Sequence, residues 1–351
     1  MHKSVLDILV DPVTKSPLRL DASRSTTNGN ITAGAVSGDG RLYPIINGIP
    51  RFVLTEDPGQ KQTQSSFGFK WQQRDTYDSP EMRAFAQSFV AKRYGLDRID
   101  KLRHFFGSRR RVLDAGCGSG LGASLWMDPS WRDGGSAEWY GVDISAAIDV
   151  AQERLGAIGG THFIQADILQ LPFKEGTFDT ISSEGVLHHT PSTERALKSL
   201  VPLLEPNGHI LFYVYRKKGS IREFSDDYIR DVISPLDPEE AWALLRPLTK
   251  LGKALADLHA EVEVPEDIPY LGIKAGRHDV QRLIYWNIAK LFWNETLSFE
   301  ENNHVNFDWY HPRYSHRHTE DEVRRWCDES GLSIKHLNAY ESGYTVWAIK
   351  E

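Results

Sequence analysis

Residues 112–120, VLDAGCGSG, decide the fold of this chain, because a short apolar run leads there directly into a glycine-rich turn. An apolar run of this length is typical of a buried strand. Glycine lets the backbone turn tightly and lets a ligand approach the main chain where any Cβ would clash. The stretch therefore predicts a strand that ends in a ligand-binding turn. Such a turn is weak evidence by itself, since dinucleotide and nucleotide folds use similar ones.

Short apolar runs alternate with longer segments along this part of the chain. Each run is separated from the next by enough residues for a crossover helix, and that alternation is typical of a parallel α/β sheet. We therefore predict an α/β fold with a Rossmann-like sheet of seven strands and helices on both faces. The last residues, 320–350, are expected to add a helix and a strand pair that rejoins the sheet. The predicted parallel strands cover residues 111–114, 139–143, 162–165, 178–182 and 209–214.

The beginning of the chain has a different pattern. Two apolar runs flank an Asn47-Gly48 turn, which is a strong short-range signal for a hairpin. Polar Gly, Ser, Thr and Asn residues over 21–40 predict turns. Residues 55–64 are polar and contain Pro and Gly, as a linker would, and apolar residues then recur near the helical period up to residue 106.

These patterns divide the chain into four parts. Residues 1–54 are expected to form a small β-rich module, and residues 55–106 a linker and a helical segment that covers the cleft. The core of the fold is expected from residues 107–216 and 307–351. Between the two core segments lies a mostly helical insertion or lid, residues 217–306, whose aromatic residues recur at helical spacing.

The composition limits the class of protein. The chain has 351 residues, 40% of them hydrophobic and 25% charged, which suits a globular protein with a large core. A formal net charge of -7 argues against a general affinity for nucleic acid, although it leaves a local basic patch open. Cys117 and Cys327 are too few for a disulfide framework or a four-cysteine zinc site. No apolar run is long enough to span a membrane and no secretory signal is recognisable, so we expect a cytoplasmic protein.

Acidic residues stand at the ends of the strands that follow the glycine turn. Asp143 ends the second predicted strand, where a carboxylate can accept both hydrogen bonds of a ribose diol. Asp167 follows the third strand and can accept from an adenine amino group, while Ile168 packs on the ring face. The fourth strand leads to Glu184 and two histidines, beside the place where the reactive end of a nucleoside cofactor lies.

In this order and at these spacings, residues 110–216 resemble the class I S-adenosylmethionine-dependent methyltransferases. The resemblance implies S-adenosylmethionine as cofactor and S-adenosylhomocysteine as product. It also implies that Asp114 and the glycine turn hold the methionine end of the cofactor. Asp143 then holds the ribose, and Asp167 with Ile168 the adenine. The expected cofactor-binding residues are Asp114, Gly116, Cys117, Gly118, Asp143, Ile144, Asp167, Ile168 and Glu184.

The N-terminal module resembles a second family. Residues 43–50, YPIINGIP, are similar to the end of the zinc-ribbon-like domain of the tRNA-methyltransferase activator family, which begins with a Cys-Pro-x-Cys knuckle. Residues 11–14, DPVT, stand in the place of that knuckle here, so the metal-ligating cysteines are missing. The resemblance implies a metal-free structural or docking module.

Two histidines follow the fourth strand in the stretch Leu187-His188-His189, which is similar to the one in small-molecule methyltransferases. Methyl transfer from a sulfonium is an in-line displacement, so the protein must align the nucleophile and exclude water. A base is needed only if the nucleophile loses a proton. His188 and His189 are the candidate catalytic residues, because an imidazole has a pKa close to the working pH. The alternative is that one of them caps the next helix or lines the cofactor site.

Residues 306–319, NFDWYHPRYSHRHT, form the other chemically dense stretch. Thr319 and Glu322 match a capping box, so the preceding residues are expected to form a loop at a helix entrance, where binding residues are common. Arginines in this loop could hold a carboxylate or phosphate, and its aromatic rings could stack. The alternative is a polar loop packed under the sheet edge. The candidate substrate-binding residues are Trp309, Tyr310, Arg313, Tyr314, His316 and Arg317.

Four histidines, His304, His311, His316 and His318, raise the question of a metal site. No pair has the spacing of the helical metalloprotease motif, and imidazoles also form ordinary hydrogen bonds. We therefore predict no metal.

The sequence predicts a methyltransferase that acts on a small molecule or biosynthetic intermediate at oxygen, nitrogen or carbon. The second hypothesis is an RNA or protein methyltransferase that docks its substrate through the N-terminal module, and the third is a non-catalytic partner that binds the cofactor. A dehydrogenase is the main rival within the fold class, and the Gly-x-Gly-x-Gly turn argues against it. The expected partner is a small-molecule acceptor, with neither nucleic acid nor a membrane span, and a homo-oligomer stays open.

Overall fold

The computed structural model of the protein describes residues 1–25, 30–127, 130–132 and 135–351. Among the helices of these residues, none combines the length and the apolar character that crossing a bilayer requires. The strands are β1 (Arg19–Ser25), β2 (Ile31–Gly38), β3 (Arg41–Ile46), β4 (Ile49–Phe52), β5 (Arg111–Ala115), β6 (Glu138–Asp143), β7 (Thr161–Ala166), β8 (Phe178–Glu184), β9 (Leu204–Tyr215), β10 (Glu261–Val264), β11 (Gly276–Asp279), β12 (Leu332–Ala339) and β13 (Gly343–Lys350). The helices are α1 (Pro58–Gln72), α2 (Pro80–Arg93), α3 (Ile99–Gly107), α4 (Leu121–Ser124), α5 (Ala147–Leu155), α6 (Thr193–Leu200), α7 (Ser220–Ile233), α8 (Pro238–Ala256), α9 (Val280–Asn287), α10 (Phe299–Tyr310) and α11 (Glu320–Glu329).

One sheet of eleven strands runs through the described residues, in the order β1-β2-β3-β4-β7-β6-β5-β8-β9-β13-β12. The strands from β7 to β12 in this order form the predicted Rossmann-like sheet. Strands β7, β6, β5, β8 and β9 are parallel, and β13 is antiparallel to both β9 and β12. The predicted α/β fold class is confirmed.

Alternating residues of the central strands pack into two separate hydrophobic cores. Val112 of β5 belongs to one core and Leu113 to the other, and Trp139 and Tyr140 of β6 divide in the same way. Side chains alternate between the two faces of a strand, so a strand that is covered on both faces is apolar at nearly every position. Helix α6 covers one face, and α3 and α5 cover the other. The strand ends are therefore the positions that can carry polar functional groups.

The N-terminal module continues this sheet, because β4 pairs with β7 in parallel. Beside this pairing, the Arg51 guanidinium donates to both carboxylate oxygens of Asp149, at 2.6 and 3.0 Å. The predicted hairpin is confirmed as β3 and β4, with Asn47 at φ 53° and Gly48 at φ 78°. Both values lie in the left-handed region that a tight hairpin turn of this type requires.

The prediction of turns over residues 21–40 was wrong for most of that segment. Strands β1 and β2 form a hairpin there, and residues 26–29 lie outside the described residues. The reason is that Ile31 and Val36 bury against the core although only small residues and one threonine lie between them. These buried apolar residues are too few and too far apart to produce a recognisable strand pattern in the sequence.

The polar segment 55–64, predicted as a linker, is mostly helix α1. Asp57 caps this helix by accepting a hydrogen bond from the Gln60 amide at 2.7 Å, and Pro58 occupies the first turn, where it is tolerated. The apolar periodicity that marks a helix is missing because α1 buries a polar face. The buried residues of α1 are Gln60, Thr63, Ser66, Gly68 and Lys70.

The insertion between β9 and α11 is held together by a buried carboxylate. Asp226 of α7 is fully buried and accepts a hydrogen bond from Arg222 at 2.6 Å. Trp309 and Tyr310 of α10 donate to the same carboxylate, both at 2.8 Å. A buried charge is tolerated only with such partners. These bonds fix α10 against α7 and thereby position Asp308 of α10 towards the sheet.

A second buried carboxylate stands where the family resemblance places a metal-binding knuckle. Asp11 is fully buried and accepts hydrogen bonds from the amides of Val13 and Thr14, at 2.9 and 3.0 Å. The Tyr43 hydroxyl also donates to it, at 2.8 Å. Burial acts to raise the pKa of Asp11, but these donors outweigh burial and the pKa is lowered. The carboxylate thus holds a turn that lacks the metal-ligating cysteines.

We predict that Asp11→Ala lowers the free energy of unfolding by about 2 kcal/mol, because three donors lose their acceptor. Since the folded-state pKa of Asp11 is depressed, its stabilisation is present above about pH 4 and is lost as the pH falls through the folded-state pKa. Urea unfolding across the acid range measures both effects. Asp7→Ala, at an exposed carboxylate of the same module, is the control. Equal losses in the two variants would contradict the prediction.

Candidate functional site

A cavity of about 380 Å³ lies at the carboxyl ends of β5, β6, β7, β8 and β9. The carboxyl ends of parallel strands meet at one edge of a sheet, and ligands of open α/β folds bind there. Helices α1, α2 and α10 cover the cavity. Its wall consists of Gln60, Thr63, Phe67, Lys70, Trp71, Phe89, Arg93, Gly116, Val142, Asp143, Ile144, Ala166, Ile168, Glu184, Gly185, Val186, His189, Thr190, Tyr213, Tyr215 and Asp308.

The glycine turn after β5 requires glycine at successive positions. Gly116, Gly118 and Gly120 have φ values of 89°, 54° and 71°, in the left-handed region that other side chains disfavour. A Cβ on Gly116 would lie 2.3 Å from the Val186 side chain, and one on Gly118 would lie 2.8 Å from the Trp71 ring. The turn can therefore bring its backbone this close to its neighbours only without side chains.

Asp143 ends β6 and lines the cavity together with Ile144. Its carboxylate accepts hydrogen bonds from the Gly118 amide at 2.9 Å and from the amide and hydroxyl of Ser145 at 2.8 and 2.6 Å. Burial raises the pKa of Asp143, although these bonds act in the opposite direction. A carboxylate has about four acceptor positions, so capacity for a ligand hydroxyl remains.

A smaller cavity of about 240 Å³ shares Gly116 and Glu184 with the first one. Asp114 and Cys117 line this smaller cavity and do not form part of the wall of the larger one. Burial, together with the charge of Asp143, raises the pKa of Asp114 to about 7. The predicted residues of the glycine turn are therefore divided between two neighbouring spaces.

Helix α2 brings two donors to Glu184 that the sequence analysis missed. Arg93 and Tyr94 donate to the two carboxylate oxygens of Glu184. The Arg93 guanidinium also lies over the Tyr213 ring, 3.8 Å from its centroid. Arg93 and Glu184 line both cavities. No local motif surrounds Arg93, so only the packing of α2 on the sheet edge reveals its position.

Asp167 and Ile168 follow β7 but occupy different places. Ile168 lines the cavity, whereas Asp167 is not part of its wall. The Asp167 carboxylate instead caps the short 3-10 helix Ile168–Gln170 by accepting from the Leu169 amide at 2.9 Å. This bond uses one of the acceptor positions of the carboxylate, so the expected bond from Asp167 to the adenine stays a prediction. Gly118 is also absent from the wall and contributes through its bond to Asp143.

The two predicted catalytic histidines differ in their access to the cavity. His189 lines it, and its Nδ1 lies 2.6 Å from the Tyr314 carbonyl oxygen, so Nδ1 carries the proton and Nε2 is left as an acceptor. In the described part of the chain this Nε2 has no hydrogen-bond partner, and burial lowers the pKa of His189 to about 4. His188 is fully buried, stacks on Tyr215 with ring centroids 3.7 Å apart, and is not part of the wall. The geometry favours His189 over His188 as a group that meets a ligand.

An ion pair between α1 and α10 lies in the cavity wall. Lys70 donates to one oxygen of the Asp308 carboxylate, and the Tyr215 hydroxyl donates to the other at 3.2 Å. The Lys70 ammonium also lies 4.0 Å from the centroid of the Trp71 ring. Burial acts to raise the pKa of Asp308, but the positive charge and hydrogen bond of Lys70 outweigh burial and hold the pKa well below its usual range. No sequence pattern marks Asp308 as a site residue, because it is a single acidic residue in a stretch with many polar and aromatic side chains.

None of the six candidate substrate-binding residues is part of the cavity wall. Trp309 and Tyr310 belong to the end of α10 and bury against Asp226, because the helix extends further than the sequence predicted. The capping box at Thr319 is confirmed, and the loop before it forms a surface depression. The loop side chains bond within the protein: Arg313 to Asp231, Tyr314 to Asp57, His316 to Thr190, and Arg317 to Glu223 and Asp227.

The histidines of this region make ordinary hydrogen bonds. His304 bonds to Thr76 and His318 to Thr193, both at 2.8 Å. Within the ranges that the structure describes, no group of three or more His, Cys, Asp or Glu side chains is arranged to hold a metal ion.

Comparison with known proteins adds independent information to this geometry. Residues 113–212 match the family model described as a methyltransferase domain. An uncharacterized protein of Synechococcus sp. is 33% identical over 237 residues, which are 64% of this chain and 48% of that protein. The phthiotriol/phenolphthiotriol dimycocerosates methyltransferase of Mycobacterium leprae is 29% identical over 43% of this chain and 55% of its own length. This chain thus spans about half the length of these two relatives.

A third relative is covered more fully. The ubiquinone/menaquinone biosynthesis C-methyltransferase of Azotobacter vinelandii is 31% identical over 183 residues, which are 47% of this chain and 70% of that protein. The chain belongs to the S-adenosylmethionine-dependent methyltransferase family. The class predicted from the glycine turn and the acidic strand ends is confirmed.

We predict that Asp308→Asn lowers the free energy of unfolding by about 3 kcal/mol, because it leaves the buried Lys70 ammonium without a counter-charge. Asp257→Asn is the matched control, since Asp257 pairs with Lys253 at 2.6 Å on the exposed surface of α8 and contributes less than about 0.5 kcal/mol. Urea unfolding at neutral pH measures both values. Similar losses in the two variants would show that the Lys70–Asp308 pair behaves as a surface pair.

Proposed function

We propose that the protein transfers a methyl group from S-adenosylmethionine to a small-molecule acceptor, at oxygen, nitrogen or carbon. One observation carries the proposal: strand-end groups suited to the cofactor and a neutral histidine line the same cavity. Gly116 and Asp143 represent the first set and His189 the second. Aromatic side chains of the covering helices and of β9 form much of the remaining wall, which suits a compact acceptor better than a polymer.

The residues present fit the cofactor. Gly185 lines the cavity, and a Cβ built on it meets no atom within 4 Å, so glycine leaves space for a ligand at this position. We assign Asp143 to a ribose hydroxyl, through its remaining acceptor position. Ile144 and Ile168 then enclose the adenine with their apolar side chains.

The smaller cavity suits the methionine end of the cofactor. Asp114 and Glu184 offer carboxylates for its ammonium group, and Arg93 offers a guanidinium for its carboxylate. The charged groups of the smaller cavity therefore match the zwitterionic methionine end of the cofactor. The strand-end contacts in the larger cavity match its nucleoside.

When bound, the cofactor supplies an electrophilic methyl group on a sulfonium sulfur. The part of the protein is to exclude water and to align the acceptor for in-line attack. Phe67, Trp71 and Phe89 exclude water, since these rings cover the strand ends from α1 and α2. The polar groups on the acceptor side are His189, Tyr215 and the Lys70–Asp308 pair, and we assign these groups to the orientation of the acceptor.

His189 is the group that we assign to proton removal. Its Nδ1–H is fixed by the Tyr314 carbonyl, so Nε2 keeps a lone pair for the cavity. The lowered pKa of His189 keeps the imidazole neutral at neutral pH, so Nε2 is free to accept a hydrogen bond from the acceptor, and it makes this imidazole a weaker base than a histidine in water. We assign His188 a packing role, because it lies behind His189 against Tyr215.

The names of two of the relatives support the class of acceptor. They include a methyltransferase of ubiquinone and menaquinone biosynthesis and one of phthiotriol dimycocerosates, which are not polymers. The position of the N-terminal module supports a structural role in this protein, since its sheet is continuous with the core through β4 and β7.

The proposal is tested by turnover with a panel of phenols, hydroquinones, carboxylic acids and amines, in which S-adenosylhomocysteine is quantified by mass spectrometry. We expect product with at least one of these classes and none with tRNA or unfolded protein. For an acceptor that loses a proton, His189→Gln is expected to lower kcat by at least about 100-fold, whereas His259→Gln at the surface leaves it unchanged. Product with RNA or protein alone would favour a macromolecular substrate. The absence of calorimetric heat with both S-adenosylmethionine and S-adenosylhomocysteine would leave a non-catalytic protein.

We also predict that the affinity for S-adenosylhomocysteine rises with pH. Asp114 is protonated below its raised pKa of about 7, and an ammonium group beside it favours the carboxylate. Binding then releases a proton, so the affinity approaches a tenfold gain per pH unit below about pH 7 and levels off above it. Calorimetry between about pH 5.5 and 8 measures this. In Asp114→Asn the profile is expected to flatten, and an unchanged profile would place the ammonium elsewhere.

A further inference from the structure

Another cavity, of about 610 Å³, opens outside the site described above. It lies where the chain leaves β9 and enters α7, and the loop before β11 and one side of α9 complete it. Its wall consists of Arg216, Lys217, Lys218, Gly219, Ser220, Pro269, Tyr270, Gly272, Ile273, Lys274, His278, Arg282, Leu283, Trp286, Asn287 and Glu341. We call it the basic cavity.

The basic cavity concentrates positive charge in a chain whose net charge is -7. Five of its wall residues are cationic and come from three different elements: Arg216, Lys217 and Lys218 after β9, Lys274 before β11, and Arg282 on α9. Glu341 is the carboxylate among the described wall residues. Its carbonyl oxygen, rather than its carboxylate, accepts the hydrogen bond from Lys218.

Few negative charges within the protein offset these cations. Lys217 lies 3.8 Å from Glu322, which is a loose contact for an ion pair, and Lys274 pairs with Asp267 at the exposed rim. In the described part of the chain, Arg216 has no ion pair within 4.0 Å. The like charges are therefore held near one another without full compensation, which costs free energy that a bound anion would recover.

The pKa of Lys218 reflects this accumulation of positive charge. Burial lowers its pKa to about 7, and the charges of Arg222 and Arg216 act in the same direction. Its ammonium lies 5.3 Å from the centroid of the Trp286 ring. A nearby anion would stabilise the charged form of Lys218, which burial and the neighbouring positive charges destabilise.

The remaining wall is apolar. Pro269, Ile273, Leu283 and Trp286 lie beside the cations, and Trp286 presents a ring to the space. A ligand that fits both parts carries a compact, multiply charged anion on an apolar or aromatic body. Cations that approach from three elements suit the several oxygens of a phosphate group better than the two of a carboxylate.

We propose that the basic cavity binds a phosphate group attached to an apolar or aromatic body. The proposal is independent of the methyl transfer proposed above, because no residue of the basic cavity belongs to the wall of either strand-end cavity. The site adds an anion-binding function to a protein whose overall charge disfavours anions.

The test is calorimetric titration of the full chain with phenyl phosphate, inorganic phosphate and benzyl alcohol. We expect binding of phenyl phosphate, weaker binding of inorganic phosphate and no binding of benzyl alcohol. Arg216→Gln and Lys274→Gln are each expected to weaken phenyl phosphate binding by about tenfold. Lys250→Gln, which removes an exposed lysine of α8, is the matched control and is expected to bind as the unchanged protein does.

Two sources of the phosphate are separated by a second measurement. Flotation with vesicles of equimolar phosphatidylcholine and phosphatidylglycerol shows whether a lipid headgroup can occupy the site, and vesicles of phosphatidylcholine alone are the control. Binding to phenyl phosphate without flotation indicates a free phosphorylated ligand, and flotation that Arg216→Gln abolishes indicates a headgroup. The proposal is overturned if neither probe binds, or if Arg216→Gln and Lys274→Gln bind as tightly as Lys250→Gln. S-adenosylhomocysteine affinity, measured in parallel, shows whether the strand-end site is intact in each variant.

Discussion

The hydrogen bond from the Gly118 amide to the Asp143 carboxylate joins the ends of two neighbouring strands, and the geometry of the site depends on it. Buried backbone amides need a partner, and a turn in the left-handed region cannot supply its own helical or sheet bonds. The carboxylate at the end of β6 provides that partner. As a result the turn stays open beside the cavity, with Gly116 facing both neighbouring spaces. Loss of the acceptor would disturb the turn and the wall of the cavity together.

Charges on the covering helices complement those on the sheet edge. The strand ends carry buried acids, and the pKa values of both Asp114 and Asp143 are raised because burial disfavours their charged forms. Helices α1 and α2 bring Lys70 and Arg93 to the same region, and each pairs with a carboxylate from another element. The helices that close the cavity therefore also neutralise part of its charge. The packing of α1 and α2 on the sheet edge therefore both covers the cavity and places cations beside its buried carboxylates.

Buried carboxylates fix both the N-terminal module and the insertion. In the N-terminal module, Asp11 organises a turn by accepting hydrogen bonds from backbone amides. In the insertion, Asp226 collects donors from Arg222 and from α10. Asp11 holds an irregular turn and Asp226 joins two helices. Their hydrogen bonds specify these geometries more closely than apolar packing alone would. The module and the insertion are thus held by specific bonds, and those of the insertion set the position of Asp308 in the cavity wall.

The sequence alone determined the α/β sheet, the glycine turn and the place of Asp143, because each is a local pattern: an apolar run, a left-handed turn, and a carboxylate at a strand end. It also determined the methyltransferase class, since these patterns occur in one order. Only the tertiary structure decided which groups share the cavity. Arg93, Lys70 and Asp308 come from helices whose local sequence has no motif. The side chains around Arg313 lie outside the cavity, because they form hydrogen bonds and ion pairs elsewhere in the protein. The physical reason is that side-chain direction depends on how distant elements pack, and no local pattern carries that information.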